Sequence, residues 1–256
     1  MSPRTRPGQA APIAELAAQD ALGAVNRLPV DDFAEMKDAL IGIARAIART
    51  TGPQCEVVLH DYHEWDRSGS TIVWIENGHV TGRRIGGPTT NLGLEALKSG
   101  TDSPDRFNYQ SRAKDGRTLR STSIYFRNRT GKLIGSLCIN VDVDAYVTAR
   151  AALDALLGVA IEPPADTDVT ETFGSDIAEV LDAQIQAAIA RTGKPVAALA
   201  RDDRVAVVRH LDDKGAFLVK RAADRIARAL GTSRVTVYAY LEEARSGGAS
   251  SNGRKG

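Results

Sequence analysis

Two stretches of this sequence hold side chains able to do chemistry. The first, His60-Asp61-Tyr62-His63-Glu64-Trp65-Asp66, gathers imidazoles and carboxylates, with Cys55 and His79 not far along the chain. These are the ligand types of a metal centre or of an acid–base pair. The spacing speaks against a metal, because on an alternating strand His60 and His63 face opposite sides and no recognised ligand interval is present. A strand-end histidine bonded to backbone is the plainer reading, and a metal-dependent enzyme using His60, His63 and Glu64 is the alternative. The chain also has no phosphate-binding glycine loop, nucleophile elbow or metalloprotease motif. No catalytic residue, cofactor or metal is expected, and the chain does not read as an enzyme.

The second stretch, Lys220 to Leu241, offers hydrogen bonds and charge suited to a polyanion. Arg234 has the planar fork that pairs with both major-groove acceptors of guanine, worth roughly 1–3 kcal/mol of discrimination. Ser233, Thr236 and Tyr238 suit phosphate oxygens, while Lys220, Arg221, Arg225 and Arg228 supply an electrostatic footprint. Val235 falls on the same face, and Ala239 offers apolar contact only, to a thymine methyl for instance. Tyr240 reads either as a core ring or as a hydroxyl on a phosphate.

The elements that must position these groups are legible. Apolar residues at 223, 226, 227 and 230 give one helix a buried face. Gly231 then allows the left-handed turn that ends it. Ser233 caps a second helix, whose inner side is Val237, Tyr240 and Leu241. Two helices meeting across a three-residue turn form a helix-turn-helix, which lays its second helix in a DNA major groove. The alternative is a packed helical hairpin with a solvated charged face. Charge favours DNA. Residues 214–256 carry nine Lys/Arg against three Asp/Glu, a charge of +6, which leaves 24 against 29, or −5, for residues 1–213. An acidic body with a basic end implies an anionic partner, here double-stranded DNA.

Upstream, the composition is that of a globular chain, 43% hydrophobic and 25% charged. Cys55 and Cys138 sit in apolar runs and fit a reducing compartment. No apolar run approaches the roughly 18 residues that span a bilayer, and no signal-peptide core is present, so a cytoplasmic protein without membrane contact is expected. Residues 1–28 read as a disordered or weakly helical arm, with thin helical content from Ile13 to Val25. A firmer helix, capped by Asp31 or Asp32, carries Phe33, Met36, Leu40, Ile43, Ala44 and Ile47 inward and ends at Gly52-Pro53.

From Cys55 the period shortens to that of strands. Strands are predicted at Cys55–His60, Ser70–Glu76, Phe107–Ala113, Thr118–Arg127 and Lys132–Val141, with Asn77-Gly78 turning into a short further strand over His79–Arg84. Helices are predicted at Asn91–Lys98 and Asp144–Leu157. Cys138 reads as a small buried residue rather than a redox reporter. Asn140 and Asp142 either line a pocket or end a strand, and the loop Gly86–Asn91 either holds an anion or simply caps its helix. The fold class is α+β: a PAS-like antiparallel sheet flanked by helices over 29–157, a linker over 158–175, and an all-α helix-turn-helix domain over 176–245. Within that last domain, Asp176 and Glu179 form a capping box for a helix to Arg191. A helix over Asp202–Leu211 follows, and the tail over 246–256 reads as disordered.

Several of these segments together resemble the YheO-like PAS-domain transcriptional regulators, the group that includes DauR-like repressors. They are Cys55-Glu56-Val57-Val58-Leu59-His60-Asp61, Ile75-Glu76-Asn77-Gly78, Gly82-Arg83 with Gly86 and Pro88, and the run from Gly135 to Asp142. In the second domain they are Lys214-Gly215-Ala216-Phe217 and the stretch from Ala229 to Leu241. The resemblance spans about residues 33–244. It implies a PAS-like sensor and a helix-turn-helix in a bacterial regulator, with repression the expected sign. It does not supply a ligand; a homodimer or higher homo-oligomer follows from the helix-turn-helix on a palindromic operator, and a small effector is taken as amino-acid-like from the resemblance. His60, Asp61, Asn91 and Asn140 are the candidate effector contacts. A dimerising or protein-interaction module with no small-molecule ligand is the competing reading.

Overall fold

Alternating β-branched and small residues from Cys55 onward build a five-stranded antiparallel sheet. Its strands are β1 (Cys55–Asp61), β2 (Ile72–Glu76), β3 (Arg106–Arg112), β4 (Thr118–Arg127) and β5 (Leu133–Asp142), in spatial order β2-β1-β5-β4-β3. The structure is a computed structural model that describes residues 27–63, 65, 69–100, 103–158 and 171–249. Most of the expected N-terminal arm, the helix expected at Ile13–Val25, residues 159–170 of the linker, and Glu64 and Asp66 lie outside the described residues.

The register sorts the two sheet faces. Val57 lies opposite Ile139 and Leu59 opposite Leu137, and this apolar face is covered by α1 (Ala34–Thr51). Phe33, Leu40, Ala44 and Ala48 are buried there with Cys55, Val57, Leu59 and Leu137. Ile43, expected in the stripe, is 54% exposed. The residues at 40, 44 and 48 keep an i, i+4 row, and position 43 falls off it. Phe33, not Asp31 or Asp32, occupies the N-cap position and makes no side-chain cap bond. The acidic residues act around it, with Asp32 Oδ1 accepting from Ala34 N and Glu35 Oε1 accepting from Asp31 N.

The opposite face pairs Glu56 with Asn140, Val58 with Cys138 and His60 with Ser136. Across β5 it pairs Asn140 with Ser121 and Cys138 with Ser123. These residues are mostly polar, yet all are buried. The predicted strand over His79–Arg84 does not form. Asn77 adopts φ 56° and spends its side-chain amide on the carbonyls of Gly52 and Cys55. Gly78 passes so close to Arg83 that a Cβ would lie 2.4 Å from its carbonyl oxygen. The chain coils, with Val80 N donating to Asn77 O and Gly82 N to Gly78 O, instead of pairing back. That coil turns Thr81 and Arg83 inward over the polar face.

A helix α2 (Asn91–Ser99) also covers this face, and α3 (Asp144–Leu157) follows the sheet without burying a single residue. The C-terminal half is helical: α4 (Ile177–Ala190), α5 (Arg201–Asp213), α6 (Ala222–Ala229) and α7 (Arg234–Ala249), with short 3-10 turns at Val196–Ala198 and Ala216–Leu218. Asp176 Oδ1 accepts from Glu179 N as the predicted cap. The Glu179 carboxylate reaches one residue further back, accepting from Ser175 N rather than from the Asp176 N–H that a full capping box uses. α7 continues four residues past the expected end at 245. Val180, Leu181, Ile185, Val208, Leu211, Ile226, Leu230 and Val237 form the core of this half. Leu94 from α2 is buried in the same core.

Candidate nucleic-acid interface and sensor chamber

The polar sheet face encloses a bonded chamber. Glu56 accepts from Arg83 Nη2 at 2.5 Å, from Thr81 Oγ1 at 2.5 Å and from Asn140 Nδ2 at 3.0 Å. Asn140 Oδ1 in turn accepts from Ser121 Oγ at 2.8 Å. A buried ion pair is tolerated when its remaining lone pairs and protons are bonded, and Glu56 meets that condition. Arg83 does not: its Nη1 is buried with no hydrogen-bond partner among the described residues.

Farther along, His60 Nδ1 lies 2.8 Å from Thr71 Oγ1, and its ring is parallel to Tyr62. Burial holds the His60 pKa well below 6.5, and Arg83 adds repulsion. Burial also pushes the Cys138 thiol up to about 11, which leaves it protonated and unreactive near neutral pH. At the far end Glu171 accepts from Thr90 Oγ1 at 3.0 Å and from Tyr109 OH at 2.8 Å. Burial raises the pKa of both Glu171 and Tyr109.

The second site is the helix-turn-helix. α6 ends at Ala229 with Leu230 as its C-cap, and Gly231 takes φ 61°, the left-handed conformation that lets Thr232 N reach back to Ala227 O. Ser233 Oγ accepts from Thr236 N at 3.1 Å and so starts α7. Val237 and Leu241 are buried against α6 and α5. Their burial orients the rest of the helix. Ser233, Arg234, Val235, Tyr238 and Ala239 are exposed and Thr236 is half-buried. Val235 is 79% and Tyr238 47% exposed, so apolar surface is open at the start of the helix among the described residues.

The Arg234 guanidinium lies 5.6 Å from the Tyr238 ring centre and 3.9 Å from Asp224, which steers it at the head of α7. Tyr240 packs its ring half-buried on the core beneath Arg201, which matches the core reading of that residue. Lys220, Arg221 and Arg228 are exposed along the edge of α6. Arg225 differs from the sequence expectation: it is half-buried and bonded to Asp182 of α4 at 2.5 Å. Its charge is partly neutralised within the domain.

Residues 34–158 match the YheO-like PAS domain family, and residues 180–242 match a family described as an HTH domain. The chain is 31% identical over 209 residues to the transcriptional regulator DauR of Pseudomonas aeruginosa, covering 80% of this chain and 93% of that protein. The uncharacterized protein YheO of Escherichia coli is likewise 31% identical over 209 residues, with 80% and 83% covered. An uncharacterized protein of Haemophilus influenzae is 29% identical over 215 residues, with 82% and 94% covered. The chain belongs to the YheO-like PAS–HTH family. It is a DNA-binding transcriptional regulator, and this family is not an enzyme class.

Within this YheO-like chain the four candidate effector contacts separate. His60 and Asn140 lie on the chamber face, and Asn91 lies at its rim, where its Oδ1 accepts from Thr172 N. Asp61 is a correction. It lies on the opposite strand parity, half-buried, and its Oδ1 accepts from His63 N in the following turn. His60 is bonded to a hydroxyl, not to backbone, and among the described residues no group of three or more His, Cys, Asp or Glu could hold a metal ion. Asp142 ends its strand in an ion pair with Arg117. Sequence reasoning missed Glu56, Thr81, Arg83, Thr90, Tyr109 and Glu171. One signal for the face itself was present: Ser136, Cys138 and Asn140 alternate at period two with Leu137, Ile139 and Val141, the pattern of a strand polar on one side.

Proposed function

We propose that this regulator binds a palindromic operator as a homodimer and represses from it, and that its PAS domain adjusts that binding in response to a small polar metabolite. One observation carries the DNA reading: the start of α7 presents Ser233, Arg234, Val235 and Tyr238 to solvent while Val237 and Leu241 anchor its back. The exposed Lys220, Arg221 and Arg228 flank that face and suit phosphates.

The dimer is supported by α3. Tyr146, Leu153 and Leu157 recur at i, i+7 and i+11 and are 65%, 58% and 70% exposed, a stripe that a second copy of the chain would cover. Two reading heads would then sit about one helical turn apart, ~34–36 Å, or a multiple of that. Metabolite sensing is supported by the chamber, where a buried cation keeps one unpaired donor. Selection of double-stranded fragments from a random pool tests the whole. Enrichment of an inverted repeat is the expected result, and binding no better than to bulk DNA would sink the reading. Pure dimerisation without a ligand is favoured instead if no metabolite alters operator affinity.

A further inference from the structure

The segment leading from the PAS domain into the HTH domain lies inside the sensor chamber. Glu171 is 6% exposed and Phe173 5%. The Glu171 carboxylate accepts from both Thr90 Oγ1 and Tyr109 OH, and Thr172 N donates to Asn91 Oδ1 at 2.6 Å. Thr90 and Asn91 are the cap and first residue of α2, so the carboxylate also sits at the positive end of a nine-residue helix. Phe173 packs with Val80, Ala113 and Leu119, and the Arg83 guanidinium lies over its ring, 4.8 Å from the centre.

A linker carboxylate ordinarily stays in water, because burying one is costly unless several donors meet it. Here a carboxylate and a flat ring two residues apart fill a site built of hydroxyls, a helix start and a cation. The segment does not use everything the site offers, since Arg83 Nη1 is left buried without a partner among the described residues. A cleft of about 340 Å³, bordered by Val80, Gly82, Ala113, Arg117 and Phe173, opens beside the ring.

We propose that residues 171–173 are a strap occupying the effector site as a tethered substitute, and that the effector is a small organic carboxylate that displaces it. The carboxylate of the effector takes the place of Glu171 on Thr90, Tyr109 and the start of α2. Its body replaces the Phe173 ring beneath Arg83 and brings a second acceptor to Nη1. This deepens the sensor reading above and rests on it. The strap runs on through Gly174, where a Cβ would meet Val180 Cγ2 at 2.6 Å, to Asp176, the cap of α4. Expelling the strap therefore acts on the first helix of the DNA-binding half. The effector shifts the equilibrium only by its preference for the strap-free form.

The test uses the full chain with 3-phenylpropionate, which carries a carboxylate and a ring as the strap does, and 3-phenylpropanamide as its neutral control. Because a tethered occupant lowers apparent affinity by the fraction of time the site is open, Glu171→Ala/Phe173→Ala is expected to bind the acid at least ~tenfold more tightly than the parent, with the amide weaker than the acid in both. A second readout avoids dependence on that variant's folding. Chymotrypsin cleavage after Phe173 is expected to be slow in the parent and at least ~tenfold faster in Glu171→Gln or with saturating acid, as the strap-free population rises. Equal affinities in parent and variant, no binding to either, or unchanged cleavage would overturn the strap. Operator affinity followed in the same samples separates the two readings. Displacement of the strap without a change in operator affinity leaves the strap standing and removes sensor control of DNA binding. A metabolite that alters operator affinity without exposing Phe173 does the reverse.

Discussion

Single side chains divide the DNA-binding work by where their atoms can reach. Arg234 stands at the first turn of an exposed helix, steered by Asp224 and Tyr238, while Lys220 lies outside the turn at the edge of α6. Arg234→Ala is therefore expected to relax preference at one base position by about 1–3 kcal/mol, and Lys220→Ala to weaken all sequences alike and reduce the salt slope by about one. Binding isotherms on matched and mismatched operators across a salt series check both, and identical effects of the two changes would refute the division. His60 permits a test of the chamber's interior. Its folded pKa is held far below 6.5, first by burial and then by Arg83. Above 6.5 folded and unfolded chains are both neutral at this residue, and stability is full. As pH falls below that value the unfolded chain takes up a proton that the folded one resists, so stability declines towards the folded pKa. His60→Asn keeps a polar atom for Thr71 without titrating. Its urea midpoint is expected to change less between pH 7.5 and 5 than that of the parent (pH values set by the ~6.5 reference), and parallel profiles would assign the dependence elsewhere.

At the scale of elements, α3 and the coil after β2 show where pattern and structure agree and where they part. An amphipathic helix with Leu153 and Leu157 in water is unfinished as a monomer surface. Leu153→Glu/Leu157→Glu is expected to convert the proposed dimer to monomers and to lower operator affinity through loss of the second head. Melting is expected to be lowered only by what association adds and no longer to depend on protein concentration, since neither leucine is buried within the chain. Sedimentation velocity and melting curves decide it, and an unchanged sedimentation coefficient would exclude α3 as the seam. The same helix was predicted over Asp144–Leu157, the bounds observed, because its start follows an abrupt change from period two to period 3.6. Long amphipathic elements are legible for that reason, and so are the glycine turn at 231 and the caps at Asp176 and Ser233. Asn77-Gly78 misleads because a hairpin signal is local, whereas the carbonyls that claim the Asn77 amide belong to Gly52 and Cys55, over twenty residues earlier. Glu171 is illegible for the same reason. Nothing near it in sequence announces Thr90 and Tyr109, and a carboxylate amid polar residues looks like any linker.

At the scale of the whole molecule, α2 belongs to both halves. Its start holds the strap carboxylate, Ala96 packs toward the sheet with Tyr62 and Tyr125, and Leu94 is fully buried in the core of the DNA-binding half. Lys98 pairs with Asp212, which also accepts from Arg245 of α7, and Lys214 pairs with Glu95. Close approach reinforces the joint: a Cβ on Gly215 would lie 2.5 Å from Leu94 O. Asp212 is buried and Glu95 half-buried while their cationic partners reach solvent, so these pairs reinforce the apolar contact of Leu94. Leu94→Ala is expected to destabilise the protein by about 2–5 kcal/mol. The decisive feature is where that loss appears. Leu94 belongs by sequence to the PAS domain, yet it is buried in one cluster with Val180, Leu181, Val208 and Leu211. Amide exchange in the variant should therefore rise in α4 and α5 while α1, on the far side of the sheet, keeps its protection. An increase confined to α2 and the strands would mean that the two halves are joined only by the chain, and that a change in the chamber has no packed route to the reading helix. Loss of protection in α4 and α5 makes α2 the element whose position the chamber and the DNA-binding core both bias, which is what coupling between two sites physically requires.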